Sequence, residues 1–128
     1  MNILWIALGG ALGALSRAGI GEMVTRSPIE TKFPVGTLLA NLVGCFLLGA
    51  AMAYISKHVA SENTRAVQSL ICIGFLGSLT TFSTFAYETR SLFSNEFWLA
   101  MVNIVVSVVA GLVLVVVGRA VANSLMSQ

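Results

Sequence analysis

Four apolar runs divide the chain and lie at about residues 3–23, 34–55, 67–87 and 97–118. Runs of about 21 residues rise roughly 32 Å as helices, which is enough to cross the hydrocarbon core of a bilayer. Most of the charged and turn-forming residues fall in the joining segments, at about 25–33, 56–65 and 89–96. None of these segments is long enough to form a domain. The pattern predicts one all-α domain over residues 1–128, made of four transmembrane helices.

Composition excludes a water-soluble globule. Of the 128 residues, 57% are hydrophobic and only 9% are charged, whereas a soluble domain carries roughly 25% charged residues. The same figures exclude intrinsic disorder, which requires low hydrophobicity and high charge. We expect the first run to be a retained span, because it lacks the basic region and the cleavage site of a secretory signal. The chain is therefore expected to be a multi-pass membrane protein.

Several function classes lack the residues that they require. The net charge of +2 comes without a basic run or interleaved aromatic residues, so nucleic-acid binding is not expected. Cys45 and Cys72 both lie inside apolar runs, where thiols usually pack as small apolar groups. His58 is alone in a polar segment, and no Cys/His cluster is present for a metal. Metalloenzyme chemistry is therefore not expected.

Positive charge is nearly balanced between the two sides of the predicted membrane. Three Lys/Arg residues fall on the side of the N-terminus and four on the other: Lys57, Arg65 and Arg119 against Arg17, Arg26, Lys32 and Arg90. Orientation normally follows an excess of Lys and Arg in the cytoplasmic loops. Two interpretations remain open, a weak bias that still inserts one way, and dual topology with copies paired antiparallel.

Polar residues inside the predicted spans are the informative ones, because the backbone of a helix in lipid satisfies itself. Two stripes follow the spacing i, i+4, i+8, with Thr37, Asn41 and Cys45 in the second span and Asn103, Ser107 and Gly111 in the fourth. In the third span, five hydroxyls occupy the seven positions 78–84, directly after Gly77. Serine and threonine compete locally for backbone groups, so this stretch predicts a helix broken near mid-membrane.

Two interpretations of these polar groups compete. They could hold helices together, as Ser and Thr often do in membranes. A broken helix, however, is tolerated only where protein or a cavity buries the freed backbone. The density of hydroxyls beside two further stripes therefore favours a pathway or a binding site.

The side chains inside the predicted spans indicate the charge of the ion that would pass along such a pathway. Glu22 and Glu88 lie near span ends, so no carboxylate is expected at mid-span for cations or protons. The donors are neutral amides and hydroxyls, and Phe82 and Phe85 share a helical face that could offer the positive ring edges. This set suits a small anion, although ordinary packing would explain the phenylalanines alone. Arg17 either snorkels to the interface or lines an entry vestibule.

Three segments carry a resemblance to a known family. They are residues 9–17, 36–44 and 74–85, which read GGALGALSR, GTLLANLVG and GFLGSLTTFSTF. They resemble the signatures of the Fluc (CrcB) fluoride channels, in order and across all four spans. The resemblance implies an antiparallel dual-topology homodimer with two fluoride pores, in the cytoplasmic (inner) membrane of a bacterium. It implies passive export of toxic F⁻ from the cytoplasm and no enzymatic activity.

The resemblance also implies site residues in the third span and opposite it. Phe82 and Phe85 correspond to phenylalanines whose ring edges contact fluoride, and Ser83 and Thr84 to hydroxyls between the two rings. Asn41 corresponds to the pore asparagine. Thr37, one turn before it, is expected on the same fluoride pathway.

A bound cation is implied as well. Gly77 and Thr80 match the break in the third helix, where backbone carbonyls of the two copies would hold a central, structural Na⁺ at the dimer interface. Arg17 matches the first-span arginine of the family and is placed on the fluoride pathway.

The match is thinnest in the fourth span. The family has a track of hydroxyl-bearing residues there at i, i+4, i+8. The candidates in this chain are Asn103 and Ser107, and Gly111 offers no side-chain donor.

Two other functions are weighed against the channel. A small exporter of organic cations would require a carboxylate in the middle of a span, for which Glu22 is the nearest candidate. A non-transporting assembly subunit would use the polar stripes only to hold helices together.

Overall fold

A computed structural model describes residues 2–28, 31–59 and 61–127, and every regular element in these ranges is helical. The helices are α1 (Ile3–Thr25), α2 (Val35–His58), α3 (Ser61–Val67), a π-helical segment (Gln68–Leu76), α4 (Gly77–Leu79), α5 (Phe82–Asn95) and α6 (Phe97–Leu125). The segment from α3 to α5 forms the third span, Glu62–Asn95. With α1, α2 and α6 it makes four helices that are long and apolar enough to cross a membrane.

The fourth helix follows the third almost without a loop. The prediction of a joining segment over residues 89–96 is wrong, because α5 continues to Asn95 and only Glu96 leaves the helical conformation. The backbone N–H of Glu96 still donates to the carbonyl of Leu92 at 2.7 Å, and its own carbonyl accepts from Ala100 at 3.1 Å. Leu92 is buried, so packing keeps this polar stretch helical.

Glycines in α1 allow its backbone to touch the third span. A Cβ on Gly9 would collide with the carbonyl oxygen of Leu70, and one on Gly13 would collide with the carbonyl oxygen of Phe75. Both glycines are buried. The register of these contacts makes α1 and the π-helical segment parallel neighbours. Small residues at a helix–helix contact are typical of close packing between membrane helices.

A second pair is formed by α2 and α6, which run parallel because Gly111 lies beside Cys45 and, one turn later on both helices, Val115 lies beside Gly49. Here the glycines come from both helices, since Gly49 faces the carbonyl of Val115 and Gly118 faces the carbonyl of Phe46. Close backbone approach between membrane helices increases their van der Waals contact, which drives association where lipid offers no hydrophobic gain.

The third span breaks at Thr80 and Thr81. Thr80 has φ −84° and ψ 154°, and Thr81 has φ −150° and ψ 114°, so both are extended. The hydroxyl of Thr81 caps the new helix α5 by accepting the backbone N–H of Thr84 at 3.2 Å. The break expected from the hydroxyl-rich stretch after Gly77 is therefore present. The π-helical segment before it was not expected from the sequence.

Candidate functional site

A cleft of about 310 Å³ lies beside the break, between the second, third and fourth spans. Its polar and aromatic lining includes Asn41, Gly77, Thr80, Phe82, Phe85 and Ser107. Residues from three separate spans thus meet at one place. Gly44 admits the third span here, because a Cβ on it would collide with the side chain of Thr80.

The side-chain amide of Asn41 binds the backbone of the break through both its oxygen and its nitrogen. Its Oδ1 accepts the N–H of Thr81 at 2.8 Å, and its Nδ2 donates to the carbonyl of Thr81 at 3.3 Å. These bonds replace helical partners that Thr81 lacks in its extended conformation. An amide nitrogen carries two hydrogens. Asn41 can therefore hold the break with one and offer the other to a ligand in the cleft.

The two phenylalanines lie together at the mouth of the cleft. The ring centroids of Phe82 and Phe85 are 5.7 Å apart, with the planes inclined by 44°. Phe82 is 79% exposed in the single chain, whereas Phe85 is half-buried. A pair in this arrangement presents ring edges as well as faces toward the neighbouring space.

Ser83 and Thr84, which lie between Phe82 and Phe85 in the sequence, are outside this cleft. Their hydroxyls lie close to the hydroxyl of Thr81. The Thr81 hydroxyl donates to Oγ1 of Thr84 at 3.0 Å and lies 3.3 Å from Oγ of Ser83. Ser83 and Thr84 are exposed on the single chain. The structure brings them to the outer side of the break, next to Phe82, and not to the cleft wall.

In the fourth span, only one of the two candidate donors reaches the cleft. Ser107 lines it, whereas Asn103 is 1% exposed and lies behind it. Asn103 Nδ2 donates to Oγ1 of Thr89 at 2.8 Å, and Ser107 Oγ donates to Asn103 Oδ1 at 3.4 Å. Gly111 packs against α2, where a Cβ would lie 3.4 Å from the sulfur of Cys45.

Thr37 meets a carboxylate that was expected near a span end. Its hydroxyl donates to Oε1 of Glu88 at 2.9 Å, while Oε2 of Glu88 is buried without a hydrogen-bond partner. Glu88 is well inside the third span, because α5 continues to Asn95. The sequence signal that could have placed Glu88 near the site was its i, i+3 spacing from Phe85, which puts both residues on the same helical face.

Two grooves are lined in part by Glu88. They have volumes of about 710 and 520 Å³, and the first also contains Lys32 while the second contains Thr37. Thr37 and Asn41 are one turn apart on α2. The groove that contains Thr37 therefore lies one helical turn of α2 away from the cleft residue Asn41.

Arg17 turns toward the break instead of extending away from it. Its Nη1 lies 3.5 Å from the carbonyl oxygen of Thr80, in a partly buried position. A cation beside a helix end that terminates in free carbonyls is electrostatically favoured. Arg17 therefore places positive charge next to the cleft, 63 residues away in the chain.

Backbone oxygens at the break suit a hard cation. The N–H of Thr81 donates to Asn41, so it is diverted from the carbonyl of Gly77, its usual partner in an α-helix. Gly77 is exposed on the single chain, and the Thr80 carbonyl is close to Arg17. Carbonyls at unwound helix ends are typical ligands of Na⁺ in membrane proteins. The Gly77 carbonyl therefore fits such an ion, whereas the Thr80 carbonyl is shared with the guanidinium of Arg17.

Comparison with known proteins assigns the chain to a family. A family model described as "CrcB-like protein, Camphor Resistance (CrcB)" matches residues 4–119. A "Fluoride-specific ion channel FluC" from Salinibacter ruber is 44% identical over 92% of this chain and 86% of its own length. Proteins of the same name are 42% identical in Dehalococcoides mccartyi, over 99% of this chain and 95% of their own, and 44% identical in a Geobacter species, over 97% and 98%.

The similarity extends through all four spans and includes the cleft and the break. At this identity and coverage, the chain and these relatives share one family. The chain is a multi-pass membrane protein that belongs to the CrcB (FluC) family, which is a family of ion channels and not of enzymes.

Proposed function

We propose that this protein is a passive fluoride channel that exports F⁻ from a bacterial cytoplasm and so relieves fluoride toxicity. The observation that carries the proposal is the cleft, where the Asn41 amide, the Ser107 hydroxyl and the rings of Phe82 and Phe85 meet. The names of the relatives support fluoride as the anion.

Conduction requires that protein groups replace the hydration shell of the ion, strongly enough to admit it and weakly enough to release it. The second hydrogen on Asn41 Nδ2 and the hydroxyl of Ser107 are neutral donors of this kind. The edges of Phe82 and Phe85 add the positive part of the aromatic quadrupole. Neutral donors avoid the tight binding that a fixed cation at the same point would cause.

The outer part of the proposed pathway follows the grooves that lead to Thr37. Fluoride enters beside Lys32, passes the Thr37–Glu88 hydrogen bond and reaches Asn41 one helical turn later. Arg17 raises the local positive potential near the break. Ser83 and Thr84 contribute their hydroxyls on the outer side of Phe82.

The working unit in this proposal is a homodimer. Phe82, Ser83, Thr84 and Gly77 are all exposed on the single chain, although they flank the break in the middle of a span. Irregular backbone and hydroxyls are not left facing lipid at this depth, so a second copy would cover them. The near-balance of positive charge, three against four, favours an antiparallel pair with dual topology. Such a pair contains two clefts and thus two pores.

A central Na⁺ completes the proposed dimer. The carbonyls of Gly77 and Thr80 would supply two oxygens from each copy, and four oxygens suit a hard monovalent cation better than two. The ion would hold the two breaks together without being transported. Dimer lifetime in detergent, compared between sodium-containing and sodium-free buffer, tests this role, and equal lifetimes would contradict it.

Fluoride efflux from liposomes that contain the purified protein tests the function directly. We expect rapid release of fluoride at a fluoride electrode and no release of chloride. Phe82→Ile should reduce the fluoride rate about tenfold or more, because an aliphatic side chain has no positive ring edge. Phe93→Ile, a change to another exposed phenylalanine of α5 away from the cleft, is the matched control and should keep the rate.

The outcomes separate the competing functions. A well-folded dimer that releases no fluoride would refute the channel. If Phe82→Ile lowers dimer stability and leaves flux per dimer unchanged, the assembly-subunit alternative gains support. The cation-exporter alternative would need the carboxylate of Glu22, which is exposed and paired with Arg26 at 3.0 Å, or that of Glu88, which accepts a hydrogen bond from Thr37. Replacing Glu22 should leave fluoride efflux intact.

A further inference from the structure

A hydrogen-bonded chain of three side chains lies behind the cleft, formed by Thr89, Asn103 and Ser107. Asn103 is 1% exposed and Thr89 is 5% exposed, and only Ser107 lines the cleft. Asn103 Nδ2 donates to Thr89 Oγ1 at 2.8 Å, and Asn103 Oδ1 accepts from Ser107 Oγ at 3.4 Å. Asn103 is therefore one residue removed from any ion in the cleft and can act on it only through Ser107.

In this arrangement, the hydroxyl of Ser107 offers an acceptor to the cleft, whereas an anion requires a donor. The Oδ1 atom of an asparagine can only accept a hydrogen bond. The hydroxyl of Ser107 donates to Asn103 through a long bond of 3.4 Å, and the lone pairs of its oxygen are left for the cleft. An anion beside Ser107 would meet an acceptor where it requires a donor.

A half-turn of the Asn103 amide reverses this polarity at little steric cost, because oxygen and NH₂ are nearly equal in size. After the turn, Nδ2 donates to Ser107 and Oδ1 accepts from the hydroxyl of Thr89, which can serve as donor or acceptor. All three side chains remain paired. The hydrogen of Ser107 is then free to point into the cleft.

We propose that Asn103 is a positioning residue that sets the direction of the Ser107 hydroxyl, and that its amide turns when an anion occupies the cleft. The inference rests on the proposed fluoride channel and adds to it the part played by Asn103 and Thr89. The 3.4 Å bond to Ser107 is the longer of the two, so the end of the chain that faces the cleft is the more easily exchanged.

The choice of asparagine follows from this role. A buried group that must stay paired in both arrangements has to carry a donor and an acceptor on one rotatable unit. An apolar side chain at this position offers neither. Without its partner, the hydroxyl of Ser107 would turn to a carbonyl of its own helix, as serine often does within helices, and would be lost to the cleft.

A double-mutant cycle in the fluoride efflux assay tests the coupling. Ser107→Ala and Asn103→Leu are each expected to lower the fluoride rate about tenfold, the loss of about one hydrogen bond. The double variant should be less than about twofold slower than Ser107→Ala alone, because Asn103 acts through Ser107. Asn123→Leu, which changes the other asparagine of α6, should keep the wild-type rate.

A spectroscopic measurement reports the turn of the amide itself. In dimers with ¹⁵N-labelled asparagine, the side-chain NH₂ signals of Asn103 are identified by their loss in Asn103→Leu. They should shift when fluoride is added, remain unchanged with chloride, and remain unchanged with fluoride in Ser107→Ala. If Asn103→Leu does not fold, Thr89→Val perturbs the same amide from the opposite side. It should show the same coupling to Ser107.

Each contrary result has a distinct meaning. An equal cost of Asn103→Leu in the presence and absence of the Ser107 hydroxyl would overturn the inference, since Asn103 would then only hold α5 against α6. Asn103 signals that ignore saturating fluoride in a conducting protein would overturn it too. A wild-type protein that conducts no fluoride would instead refute the proposed function.

Discussion

Asn41 is the residue on which the break in the third span depends. Replacing it with leucine removes the partners of both the N–H and the carbonyl of Thr81, and Thr81 is buried. Buried groups left unpaired cost about 1–3 kcal/mol, so Asn41→Leu should lower the melting temperature of the dimer in detergent. It should also abolish fluoride efflux from liposomes, because a donor is lost from the cleft.

Asn63→Leu is the control for this prediction, since Asn63 is exposed in the polar segment outside the cleft. It should change neither the melting temperature nor the efflux rate. An unchanged melting temperature in Asn41→Leu would mean that the Asn41–Thr81 bonds do not maintain the break.

At the residue scale, the sequence predicted which side chains would supply donors and ring edges better than it predicted where those side chains would lie. Asn41, Ser107 and the phenylalanine pair do meet at one cleft, because helical spacing and the break put them on facing surfaces. Asn103 has the same spacing relative to Ser107, yet it is buried against Thr89. Which partner a helix face meets depends on the rotation of α5 against α6, and no pattern within either helix determines that rotation.

At the scale of the element, the glycines of α1 fall into two groups: some lie against the third span, and others have open space beside them. A Cβ on Gly13 would collide with the backbone of Phe75, whereas a Cβ on Gly19 would point into open space, with no neighbouring group within 4 Å. Gly13→Ala should therefore destabilise the protein by about 1–3 kcal/mol through overpacking. Gly19→Ala should be neutral or stabilising by about 0.5–1 kcal/mol, since alanine is the better helix former.

The two variants form a matched pair on one helix, so thermal unfolding in the same detergent measures the difference directly. Gly13→Ala should also elute with a smaller fraction of the proposed dimer in size-exclusion chromatography, because the third span no longer packs closely against α1. Equal melting temperatures for the two variants would contradict the close contact of α1 with the third span.

The elements themselves were predictable where hydropathy alone determines them. Four apolar runs led to four spanning helices, and the hydroxyl-rich stretch led to the break at Thr80 and Thr81. The continuation of α5 to Asn95 was not predictable in this way, because its last turns are polar and their helical state depends on burial of Leu92 against α6. The π-helical segment has no hydropathy signal that separates it from an α-helix.

At the scale of the whole molecule, the proposed antiparallel dimer requires insertion in both orientations, which a near-balanced charge allows. Asn63→Lys with Ser127→Lys adds two positive charges on the side of the N-terminus, and Asn95→Lys with Ser94→Lys adds two on the other side. Each pair should force one orientation, because Lys and Arg remain preferentially in the cytoplasm. Chains of one orientation cannot pair antiparallel, so each variant alone should lose fluoride resistance in cells.

Co-expression of the two oppositely charged variants is the decisive control, and it should restore resistance. Full resistance from either variant alone would contradict the antiparallel dimer. Loss of resistance without recovery on co-expression would show that the added charges damage the protein itself.

The sequence by itself determined that this protein lies in the membrane, crosses it four times and breaks its third span among neutral donors. These properties follow from local chemistry, since apolar length, hydroxyl density and charge count act within each segment. The tertiary structure decided which donors face the cleft, that Glu88 lies beside Thr37, and that Arg17 approaches the break. These contacts join residues 51 and 63 positions apart, and their geometry depends on how glycine-mediated contacts set the rotation of one helix against the next.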